Sequence, residues 1–137
     1  MKKFKFRYVF KGIKDDYYLH NFFSLNFIEK GKVKNTIRAH HDSGYQLISR
    51  DLYTNHKDKR GYDLYENDLV EFTTFQQPEF NKKAICKYNN SDGCWYFVTE
   101  FGGMIEFIEV DFDTVKKIGN KYKNPDLLDI NLEEGKK

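Results

Sequence analysis

The chain has 137 residues, enough for one compact domain with a real core, and 23 Lys and Arg against 21 Asp and Glu give a formal net charge of +2. So balanced a charge excludes a protein that is basic throughout, the usual mark of a dedicated nucleic-acid binder. No apolar run approaches the roughly 18 residues of a membrane helix, and Met1-Lys2-Lys3-Phe4-Lys5-Phe6 lacks the apolar stretch of a signal peptide, so a soluble, cytoplasmic protein with no membrane partner is expected.

Thirteen Phe, ten Tyr and one Trp make up 18% of the residues. Aromatic and β-branched side chains suit strands, whereas a helical domain would be rich in Ala and Leu, so a mainly β fold is predicted. Phe4, Phe6, Tyr8 and Phe10 alternate with Lys5, Arg7 and Val9, which reads as a half-buried strand with its basic side outward. Within Tyr17 to Ile28, the alternation of Phe23, Leu25 and Phe27 predicts a second strand. Glu29-Lys30-Gly31-Lys32 then reads as a hairpin turn, followed by a polar region from Val33 to Gly44. Tyr45 to Leu52 fits either a strand or a short helix.

A polar turn at Lys57-Asp58-Lys59-Arg60-Gly61 leads through Leu64 and Tyr65 into a strand from Leu69 to Phe75, which Gln76 to Glu79 interrupts. Ala84 to Tyr88 and Cys94 to Phe101 flank Asn89-Asn90-Ser91-Asp92-Gly93, a hairpin signal. Cys86 and Cys94 lie on the two arms. With no second Cys pair and no nearby His they make no zinc spacing, and both are expected reduced and buried. Gly102-Gly103 opens a turn before a strand from Met104 to Val110. Val115 to Ile118 reads as a short closing strand, and Asn124-Pro125 as a helical cap docking Leu127 and Leu128 into the core. Four or five short strands between Leu69 and Ile118 suggest a small SH3-like barrel or a curved meander, packed with an N-terminal β subdomain. The expected division is one domain over 1–128, split into 1–52 and 53–128, with a polar tail over 129–137.

Two segments stand out. Leu52 to Phe72 resembles the YTGLKDKNGKEIYEGDIV signature of the YopX family, small proteins of Gram-positive bacteria and their phages. Ile118-Gly119-Asn120-Lys121-Tyr122-Lys123-Asn124-Pro125-Asp126-Leu127-Leu128 resembles the family's IGNIYENPELL, and Lys5-Phe6-Arg7 matches a third, weaker motif. Asn55 and Asn67 stand where the family usually has Gly, and Asn is the next-best residue for positive φ. The resemblance implies self-association, into a ring or cage, and brings no established activity with it; because the sequence shows no Ser-His-Asp order, P-loop, dinucleotide fingerprint or carboxylate-rich metal site, neither an enzyme nor a cofactor is expected.

Asp58, Gly61, Asp68, Gly119, Asn120, Asn124 and Pro125 read best as structural: turn formers, and a carboxylate tying down backbone N–H groups at a strand entry. Lys57, Lys59 and Arg60, with Tyr65, form a candidate cationic loop for phosphate or an acidic partner. Lys5 and Arg7, with Lys3, suit a nucleic-acid backbone. Trp95 heads a group of aromatics expected at the surface with Tyr17, Tyr18, Phe22, Phe23, Phe75 and Phe80, suited to base stacking or to a protein interface. His40-His41-Asp42 reads as a surface loop, since no second ligand spacing accompanies it. The preferred expectation is a non-catalytic phage or prophage accessory protein, oligomeric, that binds a host or phage protein. A single-stranded nucleic-acid binder and an oligomeric sponge for a nucleotide signal are the alternatives.

Overall fold

The protein, as a computed structural model, is described over residues 3–127 and forms two compact units, Met1–Asn55 and His56–Lys137. It is mainly β, with two antiparallel sheets.

In the first unit β1 (Lys5–Gly12) is central, paired with β2 (Tyr18–Ser24) on one side and β3 (Tyr45–Lys57) on the other. Tyr8 and Phe10 are buried on one face with Phe6, Leu19, Phe23, Phe27, Val33, Ile37 and Leu47 around them. The other face of β1 is not the exposed basic side that alternation suggests: Arg7 and Val9 are buried as well. The Arg7 guanidinium donates to Asp51 Oδ2 on β3 through Nε at 3.1 Å and Nη2 at 2.8 Å. Ser49 Oγ adds a bond to Asp51 Oδ1 at 2.7 Å. A period of two reveals that a strand has two faces; it does not reveal whether the second meets water.

The expected strand through Phe27 ends early. Ser24 is extended and its Oγ accepts from Phe27 N at 3.2 Å, capping a short helix α1 (Leu25–Glu29), while Phe23 stacks on Phe27. A hydroxyl at the N-cap thus overrides the alternating pattern. The expected hairpin turn at Glu29–Lys32 joins α1 to a second helix, α2 (Val33–Asp42), in place of the irregular polar region. Val33 and Ile37, one turn apart, supply its inner face. Tyr45 to Leu52 resolves as strand, the first part of β3.

The first sheet is ordered β2-β1-β3-β4, where β4 (Asp63–Tyr65) follows the end of β3 across the Lys57–Gly61 turn. The second sheet is ordered β8-β7-β6-β5-β9: β5 (Asp68–Thr74), β6 (Lys82–Asn89), β7 (Cys94–Thr99) and β8 (Met104–Glu106) run as a meander, and β9 (Val110–Asn120) returns to pair with β5. The sheet does not close into a barrel, so the curved meander replaces the SH3-like barrel. Register shifts between Leu69 and Val70 and between Glu71 and Thr73 bend it.

Met104 to Val110 is not one strand. Glu106 N donates to Glu109 Oε2 at 3.3 Å in a capping box that winds Phe107–Glu109 into a 3-10 turn. The short closing strand is part of the much longer β9. Phe72 and Phe97 pack with Leu64, Val70, Ala84, Cys86, Val110 and Val115, flanked by Trp95, Phe107 and Phe112. Leu69 and Ile85 fill the opposite face with Val98 and Ile118.

Cys86 is buried and Cys94 is exposed, which corrects the expectation that both are buried; they pair with Phe97 and Asn89, not with each other. Leu127 is exposed in a 3-10 turn (Pro125–Leu127), so it does not dock into the core. Leu128 and the 129–137 tail lie outside the described residues.

Removing one member of the buried pair strands the other charge. Arg7→Met is expected to lower stability by about 3–5 kcal/mol, read from the denaturant midpoint, while Arg7→Met combined with Asp51→Leu recovers a large part of that loss. Equal midpoints for single and double variants would show that the pair does not act as a unit.

Candidate functional site

Asp58 opens the motif turn. Its backbone N donates to Tyr62 O at 2.8 Å, and Gly61 N donates to Asp58 O at 2.9 Å. The carboxylate holds the loop from inside: Oδ1 accepts from Arg60 N and Tyr62 N, both at 2.9 Å. Gly61 has φ 89°, the left-handed region that glycine occupies without strain, so the chain reverses within four residues. Asp58 Oδ2 reaches β9, accepting from Lys117 N at 3.0 Å. Arg60 bonds the same carboxylate and donates through Nη2 to Lys117 O at 2.7 Å, and Lys59 N donates to Val115 O at 2.7 Å.

Ten residues on, the second carboxylate does the same. Asp68 is fully buried; its Oδ2 accepts from Tyr65 N at 2.8 Å and meets Lys117 Nζ at 3.2 Å. Lys117 Nζ also donates to Asp63 O at 3.2 Å. Asn67 takes φ 73°, as Asn55 takes 65°. Its carbonyl accepts from Lys121 N at 3.0 Å, and its side chain bonds Lys87 Nζ at 2.6 Å and Tyr122 Oη at 3.1 Å. Asn120 Oδ1 accepts from the Tyr122 and Lys123 N–H groups, and Asn124 Oδ1 accepts from Asn120 N. At Gly119 a Cβ would overlap the Asn124 carboxamide, so a larger residue would displace the side chain that accepts from Asn120 N. Pro125 begins the 3-10 turn that follows.

The two motif segments, some fifty residues apart in sequence, are thus the two sides of one hydrogen-bonded clasp. Lys117, which sequence reasoning passed over, is its centre: N–H, C=O and ammonium all bind the other segment. It lies just before the C-terminal motif on a strand whose pattern distinguishes no lysine from its neighbours. Burial alone would raise the Asp58 carboxyl. The N–H groups of Lys117, Tyr62 and Arg60, with the Arg60 guanidinium, outweigh that and hold its pKa below the ordinary carboxylate value.

The candidate binding residues are distributed otherwise than the sequence suggests. Lys57 is paired with Asp63, and Arg60 is committed to Asp58, Lys117 and the Tyr62 ring. Lys59 has an exposed side chain. Tyr65 is buried. Trp95 is half-buried between Tyr88 and Phe107, not at the surface. In the first unit Arg7 is buried and Lys5 lies over the Tyr53 ring at 4.3 Å. Tyr17, Phe22, Phe75 and Phe80 are exposed as expected, whereas Tyr18 and Phe23 are half-buried. His40 and His41 lie on α2, not in a loop; His40 Nε2 bonds Asn21 Oδ1 at 2.8 Å. Among the described residues no group of three or more His, Cys, Asp or Glu side chains is placed to hold a metal ion, and no helix is long and apolar enough to cross a membrane.

A further set of exposed apolar side chains gathers at one end of the second sheet. Phe75 and Phe80 lie in the β5–β6 connection, Phe101 in the β7–β8 turn and Met104 at the start of β8. Antiparallel order places these connections at the same end. Glu100 N donates to Lys83 O at 3.2 Å, and Phe75 N donates to Glu109 O at 3.3 Å, next to Ile108. Phe101 is 94% and Ile108 83% exposed.

These features define a small β-rich protein whose two sequence motifs are hydrogen-bonded to each other. The family model described as YopX protein matches residues 5–129, and the chain belongs to the YopX family. No curated protein matches it.

Because the Asp58 pKa is depressed in the folded protein, its stabilisation is complete above the unfolded carboxylate value of about 4 and is lost as pH falls through the lower folded value. Asp58→Ala is expected to cost about 1–3 kcal/mol, since the part-buried N–H groups of Arg60, Tyr62 and Lys117 lose their acceptor. Asp58→Asn is expected to flatten the acid limb of the stability–pH curve. An acid limb identical to that of the parent would show that another carboxylate sets it.

Proposed function

We propose that this chain is a non-catalytic binding protein, an accessory factor of a phage or prophage that acts as an oligomer on a host or phage protein. The observation that carries this reading is the apolar end of the second sheet. Phe75, Phe80, Phe101, Met104 and Ile108 are large, exposed and close in the topology, and contiguous exposed apolar surface in a small protein marks an interface. The occupant we assign to it is a second copy of the chain, in keeping with the self-association expected from the sequence resemblance.

One feature supports binding over catalysis. The motif carboxylates Asp58 and Asp68 are taken up by backbone N–H groups and by Lys117, which leaves them poor acceptors for a substrate proton. Two of the three cations of a nucleotide sponge are engaged, Lys57 with Asp63 and Arg60 with Asp58, and of the three Lys59 is left exposed, which weakens that alternative.

Sedimentation velocity at high micromolar concentration is expected to show an oligomer that persists in molar salt, because burial of apolar surface is not screened. Phe101→Ser with Ile108→Ser, both exposed and so harmless to the core, is expected to yield a folded monomer. A wild-type monomer, or an oligomer indifferent to the double substitution, would overturn the assignment.

A further inference from the structure

We infer that the outer face of α2 is a polyanion surface that takes the phosphodiester backbone of a nucleic acid. The near-neutral net charge of the chain conceals a division. Residues 1–55 hold eleven Lys and Arg against five Asp and Glu, a net +6, and residues 56–137 hold twelve against sixteen, a net −4. Within the first unit the excess is concentrated: residues 30–41 contain Lys30, Lys32, Lys34 and Arg38 and no Asp or Glu.

The fold turns this run into a stripe. Val33 and Ile37 face the core and His40 bonds Asn21, which sets the rotation of the helix. Lys34, Arg38 and His41, at i, i+4 and i+7, then share the exposed side. Among the described residues none of the three side chains has a hydrogen bond or ion pair, unlike Arg7, Lys57, Arg60 and Lys117, each of which has a carboxylate partner. The stripe extends about 10 Å along the helix axis, too long for one phosphate and suited to successive phosphates of a strand. The helix also begins with no side-chain cap and no acidic residue in its first turn, where the helix dipole favours acids. Cations there oppose helix stability, and an external anion compensates them.

The chemistry separates the possible anions. A helix that enters a lipid headgroup layer needs apolar side chains on its outer face. Here that face carries Lys34, Asn35, Arg38, Ala39 and His41, with Asp42 at its C-terminal end, and the large apolar residues of α2 are turned inward. A hydrophilic polyanion fits and a bilayer does not. The surface is also distinct from Lys3, Lys5 and Arg7: Arg7 is buried, and Lys5 sits over Tyr53.

The test is fluorescence anisotropy of labelled mixed-sequence single-stranded and duplex oligonucleotides against the full chain, over a salt series. Binding is expected to be indifferent to sequence and to weaken steeply with salt. Lys34→Glu with Arg38→Glu, both exposed, is expected to reduce affinity about tenfold or more at low salt and to flatten the log–log salt slope by about 1.5. Lys82→Glu with Lys123→Glu changes net charge equally in the other unit, at residues outside the motif loop, and is expected to have little effect. Circular dichroism checks that each variant is folded. Absence of binding at low salt would overturn the inference. So would equal losses from the two double variants, or retention on anionic vesicles without binding to oligonucleotides.

Discussion

The second unit depends on one interaction, the capture of Lys117 by Asp58. A carboxylate buried at the tip of a turn must find donors, and it finds them in the turn itself and in β9. Once Lys117 N is held there, its carbonyl lies under Arg60 and its ammonium reaches Asp68, which fixes the entry to β5. The sheet then has its first and last strands in register without closing into a barrel. The chain order of the motif residues follows from this: the turn, the strand entry and the return strand each supply what the others lack.

The first unit is organised on a different principle. Its central strand is buried on both faces, one by aromatic packing and the other around the Arg7–Asp51 pair. An ion pair so placed contributes little net stability but penalises any register that separates its members. With α2 turned outward, the same unit carries a net positive charge, because it is poor in acid, and the second unit carries the compensating excess of Asp and Glu. A single net charge for the whole chain averages over two surfaces of opposite character, which is why it gave no sign of either.

Much of the fold was legible because strands with one solvent face write themselves as alternation, and because Asn-Gly-type turns have few alternatives. The strands around Leu69, Ala84 and Cys94 and the hairpin at Gly93 follow directly. Ser24 was the decisive misreading: one hydroxyl at an N-cap converts Leu25–Glu29 to helix within an aromatic run that otherwise alternates. The Glu106–Glu109 capping box interrupts an apparent strand in the same way. Of the clasp, Asp58, Gly61 and Asp68 were recognisable as turn and strand-entry residues, while Lys117 was not, since nothing local distinguishes the lysine that a distant carboxylate will hold.

The sequence by itself determined the β character, the two motif segments and the family, because composition, turn chemistry and short-range spacing are local properties. Only the tertiary structure decided that Arg7 is buried, that Arg60 and Lys57 are spent on neighbouring carboxylates, and that Phe101, Ile108, Lys34 and Arg38 are left at the surface. Burial and charge pairing depend on what arrives from elsewhere in the chain, and no window of neighbouring residues contains that information.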